Sequence, residues 1–250
     1  MIAALARNEL RRLFVQPLAW VLLATVLGVL AYFFLLTLDA CLGLLPRIAG
    51  MADAPGVTDL VALPVLRAIA SLLLVVVPLL GMRAIAGEQQ SGSLPLLLAA
   101  GIGDTQIVLG KFGGLFTFLA LLVALALLLP LSLEIGATLD LGRIAVAAGG
   151  LVLFAAALAG IAVAASTYAQ NPVLAAMIAV VLNLLLWMAD AGARYQGVSS
   201  SFINYLALPT HLEPFLHGIA STIDIVYFVL VTAVALTLAA HRLRSLRMRG

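Results

Sequence analysis

Charge is scarce along this chain: only 10% of its 250 residues are Asp, Glu, Lys or Arg, 64% are hydrophobic, and the mean hydropathy is +1.22. A soluble domain carries about a quarter of its residues as charges. A chain this apolar has too few polar groups to cover its surface, so its solvent is lipid, where only backbone bonded within itself is tolerated. The single cysteine, Cys41, excludes an internal disulfide and any CxxC metal site, and reads as a small buried or interfacial thiol. No apolar stretch carries a central series of Asp, Glu, His or Lys, which argues against a carrier driven by protons or ions. No carbonyl filter or charged ring suggests a channel. A phosphate loop is missing too. Gly110-Lys111 resembles the end of one, but Phe112 stands where Ser or Thr must hold Mg²⁺, so the chain is expected to bind no ATP and to be no enzyme by itself. The first apolar run is too long for a signal-peptide core and no A-x-A site follows it, which predicts no cleaved leader. The net charge of +2 and pI near 9.0 do not point to nucleic acid, because the basic residues flank apolar runs in small groups.

What remains is a set of long apolar stretches. Six are long enough to cross a hydrocarbon core of ~30 Å, and they are expected near Leu18–Leu38, Val65–Met82, Phe112–Leu133, Ile144–Ser166, Val173–Met188 and Ile225–Ala240. They predict an all-α membrane protein whose whole length, 1–250, forms one transmembrane domain. Residues 1–16 read as an amphipathic interfacial helix, with Leu5, Leu10, Leu13 and Phe14 opposite Arg7, Asn8, Arg11 and Arg12, or as a simple basic flank of the first span. An even count of spans puts both termini on one side. Nine of the thirteen basic residues fall there (Arg7, Arg11, Arg12, Arg83, Lys111, Arg242, Arg244, Arg247 and Arg249), against Arg47, Arg67, Arg143 and Arg194 opposite. By the positive-inside rule both termini, including the basic tail 241–250, are expected to be cytoplasmic. Within the spans, Gly149, Gly150 and Gly160 predict close helix approach and Pro78 a kink. Asn183 reads either as a helix-to-helix hydrogen bond or as part of a pathway. Arg67, just inside the second span, either snorkels to the interface or serves a gate or headgroup contact.

The loops are more informative than the spans. The segment 83–111 falls on the side of the termini and contains an apolar run, Leu94–Ala100, far too short to cross a membrane. Ser93 as a cap and Pro95 in the first turn predict a short helix there, preceded by a hinge at Ser91-Gly92-Ser93. Such a helix at a membrane face needs lipid or a protein groove to cover its leucines. On the far side, the stretch 39–64 reads as an aqueous loop. Residues 189–224 read as one or two re-entrant or interfacial helices around Phe202–Leu208 and Phe215–Ile219. His211, Glu213 and His217 lie in that stretch, and their spacing without any cysteine fits interfacial polar residues better than a metal site.

The residues Gly87-Glu88-Gln89-Gln90-Ser91-Gly92-Ser93-Leu94 with Leu96-Leu97-Leu98, then Gln106-Ile107-Val108-Leu109-Gly110-Lys111, resemble the ABC-2 family of ABC transporter permeases, and within it the gliding-motility type. Leu208-Pro209-Thr210-His211-Leu212-Glu213-Pro214-Phe215 and Thr222-Ile223-Asp224-Ile225-Val226-Tyr227-Phe228 resemble that subgroup's last external loop and sixth span. Pro95 stands where the family usually has an acid, and Gly101-Ile102-Gly103 where it usually has a proline-bearing turn. The resemblance implies a permease of a bacterial inner membrane, paired with a second permease chain as a homo- or heterodimer and docked to a separate cytoplasmic ATPase that holds ATP and Mg. It implies that Leu94–Ala100 is a coupling helix, with Glu88, Gln89, Gly92, Ser93, Leu94, Leu97, Leu98 and Lys111 as coupling residues. Tyr168-Ala169-Gln170-Asn171 would be a smaller second contact with the ATPase. An exporter is the leading expectation. The alternative is a non-transporting membrane subunit of a gliding- or pilus-associated envelope machine with an extracytoplasmic partner, and a secondary transporter ranks third.

Overall fold

The computed structural model describes residues 1–48, 56–99, 101–196 and 205–248, and every regular element among them is helical. Helix α1 (Ile2–Val15) and α2 (Pro17–Ile48) are followed by a single π-helical turn, Thr58–Ala62, that runs directly into α3 (Leu63–Gly81). Two short helices follow, α4 (Ala86–Gln90) and α5 (Leu94–Ala99). The long helices α6 (Asp104–Leu131), α7 (Leu141–Tyr168) and α8 (Pro172–Gln196) come next, then the short α9 (Leu208–Leu216) and the final α10 (Thr222–Arg247). Six helical stretches are long and apolar enough to span a membrane: Pro17–Leu44, Thr58–Gln90, Asp104–Ile135, Leu141–Tyr168, Pro172–Ala189 and Thr222–Arg247.

The helices outrun the apolar stretches that signal them. Helix α2 continues to Ile48 through Asp39, so the stretch expected to be an aqueous loop from residue 39 is helical at its start. Helix α6 begins at Asp104, which places Lys111 inside it rather than ahead of it. Hydropathy marks where lipid ends, whereas the backbone hydrogen-bond ladder stops only at a residue that cannot continue it. Helix α3 runs across Pro78 and stops soon after, at Gly81; proline removes a donor and crowds the preceding turn. On the far side α9 lies in the expected re-entrant stretch, and Tyr205 and Leu206 ahead of it are also helical. The apolar patch at Phe215–Ile219 is its end and not a second helix, because the chain turns at Gly218 with φ +82. The start of that stretch, to Gln196, continues α8, whereas residues 197–204, with Phe202 among them, lie outside the described residues, as do Ala100 and Arg249.

Helix α7 is the centre of the bundle and touches α3, α6, α8, α9 and α10. Small residues make this possible, since lipid supplies no hydrophobic drive between helices and close packing must replace it. A Cβ on Gly150 would collide with the Phe215 ring, and one on Gly81 would come within 2.7 Å of the Ala162 Cβ. Gly160 lies against Ala235 and Thr232, while Gly149 faces open space. The same device seats α1. Cβ atoms on Gly110 and Gly114, four residues apart on α6, would come within 2.5 Å of Leu5 and 2.6 Å of Glu9. Helix α1 therefore packs along the end of α6 through its Leu5, Glu9 and Leu13 face, with Glu9 and Leu13 buried. Gly150→Val is expected to destabilise the fold by about 1–3 kcal/mol through overpacking against Phe215. Gly149→Ala should be neutral or stabilising by up to about 1 kcal/mol. Thermal unfolding of both variants in one detergent checks this, and equal melting temperatures would refute the packing assignment.

Candidate functional site

Glu88, Gln89, Gly92, Ser93, Leu94 and Lys111 come together at the end of the bundle that carries both termini, and the structure adds three residues to them. The first is Ser166 of α7. Between Gly81 and Ala86 the chain leaves the helix, and its freed backbone groups need partners. The fully buried Ser166 hydroxyl accepts from the N–H groups of Ile85 (3.0 Å) and Ala86 (2.9 Å) and donates to the Met82 carbonyl (3.0 Å). One side chain thus rebuilds the ladder across the break and orients α4. Gln89 adds a bond from its Nε2 to the Thr167 carbonyl at 3.3 Å.

The stretch expected to be a hinge is a structured helix end. Gly92 has φ +70, the Ser93 N–H donates to the Glu88 carbonyl at 3.0 Å, and the Gly92 N–H donates to the Gln89 carbonyl at 3.2 Å. This is the Schellman arrangement, in which a left-handed residue satisfies the last carbonyls of a helix. The Ser93 hydroxyl lies 2.8 Å from that of Ser91. Leu94 is buried in the chain's own core and Leu97 is half-buried against it, whereas Gln90, Ser91, Gly92 and Pro95 face outward. The side chain of Leu98 lies outside those described.

Glu9 and Arg12 of α1 are the other two additions. Lys111, the chain's only lysine, is 6% exposed on an apolar helix. Its Nζ is 2.8 Å from Glu9 Oε2 and in contact with Glu88 Oε1. Arg12 lies 3.9 Å from Glu9 and 3.8 Å from Glu88. Two cations and two carboxylates make a locally neutral cluster joining α1, α4 and α6. Glu88, whose role as a coupling residue rests on reaching outward, points its carboxylate inward here, and its Oε2 is buried without a hydrogen-bond partner. The sequence signal for Glu9 was present: it is the one acid on α1 and lies four residues from both Leu5 and Leu13, on the apolar face. Ser166 carried no such signal.

The other two candidates lie elsewhere. Asn183 is fully buried on α8, and its Nδ2 donates to the Leu74 carbonyl of α3 at 3.4 Å. Arg67 sits near the opposite end and pairs with Glu213 of α9. From Glu213 a polar chain continues to His217 (3.3 Å), from His217 to Arg143 (3.1 Å), and from Arg143 to Asp59 (2.7 Å). His211 faces away from this chain. Its Nδ1 is 2.6 Å from Asp224 Oδ1, its Nε2 is 2.8 Å from the Tyr205 carbonyl, and its ring stacks on Tyr227 at 3.9 Å between centroids. The two histidines therefore pin α9 to different helices, and among the described residues no group of three or more His, Cys, Asp or Glu converges on one point. No family model and no curated protein matches the chain.

Removing one partner from a buried ion cluster leaves charge uncompensated, typically at about 3–5 kcal/mol. Lys111→Leu leaves Glu9 and Glu88 facing each other and should lower stability by about that amount. Replacing Glu9, Glu88 and Lys111 by leucine together removes both carboxylates with the buried cation, leaves only Arg12, whose side chain is 34% exposed, and should cost less than the single change. Unfolding in detergent provides the test, and a triple variant less stable than Lys111→Leu would contradict the ion-cluster account.

Proposed function

We propose that the chain is the membrane permease subunit of an ATP-driven transporter of the ABC-2 type, an exporter, working with a separate ATPase at the end that carries the termini. The observation that supports this reading best is the mounting of the segment 86–99. It shows a polar outer edge at Gln90 and Ser91, and is tied by Glu88 to Lys111 of the third span and by Ser166 to the fourth. A connector needs partners for its freed backbone groups, which Ser166 supplies, but not the further side-chain tie from Glu88 to Lys111. A segment that receives force from a partner does need that tie, because coupling between sites travels through packed or bonded elements with discrete arrangements.

The division of labour within the segment differs from that of a simple apolar plug. Leu94 anchors it to the chain's own core, and among the described side chains the surface left for an ATPase comprises Gln90, Ser91 and Pro95. The adjoining cleft of about 550 Å³ is lined by Met82, Arg83, Gln90, Asn171, Pro172 and Met177 among others. The turn Tyr168–Asn171 borders this cleft, with Tyr168 half-exposed beneath the Arg242 guanidinium (5.5 Å) and Asn171 capping α8 through the Leu174 N–H (2.8 Å). Glu88 and Lys111 then serve transmission and not docking: a shift of α4 moves the carboxylate that holds Lys111, and α6 and α1 follow.

This separation is testable. Ser91→Arg with Pro95→Arg, both at exposed positions, should reduce copurification of the ATPase tenfold or more. Lys111→Met should leave copurification near normal and abolish transport-coupled ATP hydrolysis by the complex in nanodiscs. The isolated chain should show no ATP binding by isothermal calorimetry. Undiminished ATPase association in the double-arginine variant, or nucleotide binding by the chain alone, would sink the proposal.

A further inference from the structure

Helix α10 exposes one face along its whole length. Val226, Leu230, Val234 and Leu238 follow one another on it, each about half exposed, and the same face then changes chemistry to His241 and Arg244. At a rise of ~1.5 Å per residue, Arg244 stands ~9 Å beyond Leu238, the step from an acyl region to a headgroup region. There α10 and the start of α6 bound a cleft of about 430 Å³ lined by Asp104, Thr105, Thr237, Ala240, His241 and Arg244. Leu109, one turn along α6 from Thr105 and 40% exposed, continues the apolar surface on the other wall.

The charges at this end of α10 are not equivalent. Arg247 is taken up by Asp104 (3.0 Å) and by the Ile102 carbonyl, and Arg242 lies over Tyr168. The Asp104 carboxylate is thereby neutralised. The side chains of Arg244 and His241 make no hydrogen bond or ion pair among the described residues, and the Thr105 hydroxyl makes none either. Thr237, by contrast, spends its hydroxyl on the Val234 carbonyl (2.8 Å). The cleft thus holds a net positive charge with free donors at the polar end of a lipid-facing apolar stripe.

We propose that this cleft is a binding site for an anionic phospholipid of the leaflet on the side of the termini. Its phosphodiester sits between Arg244, His241 and Thr105, and an acyl chain lies against Leu238 and Leu109. A basic side chain at a membrane surface favours anionic over zwitterionic lipid, and the apolar stripe above distinguishes a lipid from a free phosphate ester.

Native mass spectrometry of the purified full chain, after equilibration with phosphatidylglycerol or phosphatidylcholine of the same acyl chains, tests this. The wild-type chain should retain phosphatidylglycerol preferentially. Arg244→Ala should lower that retention about fivefold, the ratio expected for one such basic contact, and His241→Ala/Arg244→Ala should lower it further. Arg7→Ala/Arg11→Ala, which removes two exposed charges from α1 at the same end of the bundle, should leave it unchanged. Equal retention of the two lipids by the wild-type chain overturns the proposal. So does an equal loss in the α1 variant, since charge anywhere at that end would then suffice. Binding of glycerol 3-phosphate as tight as that of phosphatidylglycerol would also overturn it, by assigning the site to a free phosphate ester.

Discussion

A lysine in an apolar helix stays charged and buried only if carboxylates meet it there, and the arrangement of the termini end follows from that requirement at Lys111. Its two partners come from opposite directions, Glu9 from α1 and Glu88 from α4. Satisfying Lys111 therefore holds the N-terminal helix and the segment after α3 on the same helix at once. The glycines Gly110 and Gly114 let α1 approach closely enough for Glu9 to reach it. The ion cluster and the small-residue stripe are one device. Buried ion pairs add little net stability against apolar replacements, and their best-attested use is to fix register.

The breaks in the bundle obey the same physics as its spans. Backbone that leaves the helical ladder among apolar neighbours must find partners. After Gly81 the Ser166 hydroxyl supplies three bonds, and after α4 the left-handed Gly92 closes the last carbonyls. The result is a segment after α3 that is held in a defined orientation. At the other end α9 is fixed by two separate polar systems, His211 with Asp224 and Glu213 with Arg67, so that short helix too is tied to several long ones.

The six apolar stretches, the short helix near Leu94 and the amphipathic first helix are legible in the sequence because hydropathy and periodicity are local properties. They were displaced mainly at their ends: α2 passes through Asp39 and α6 begins at Asp104, since polar residues at a membrane surface still continue a helix. The residues around Lys111 were half legible. Glu88 and Lys111 lie in a recognisable stretch, but Glu9 lies far from both in the chain and only the tertiary structure brings it to them.

The sequence by itself determined that helices are the secondary structure and that six stretches are long and apolar enough to span a membrane. Each follows from the composition of a contiguous stretch. Only the tertiary structure decided that Glu88 faces inward, that Leu94 is an internal anchor, that Arg67 pairs with Glu213, and that Ser166 bridges the break after α3. Those outcomes depend on which side chain a distant helix presents at a given height and angle. Long-range packing sets that geometry, and no local pattern encodes it.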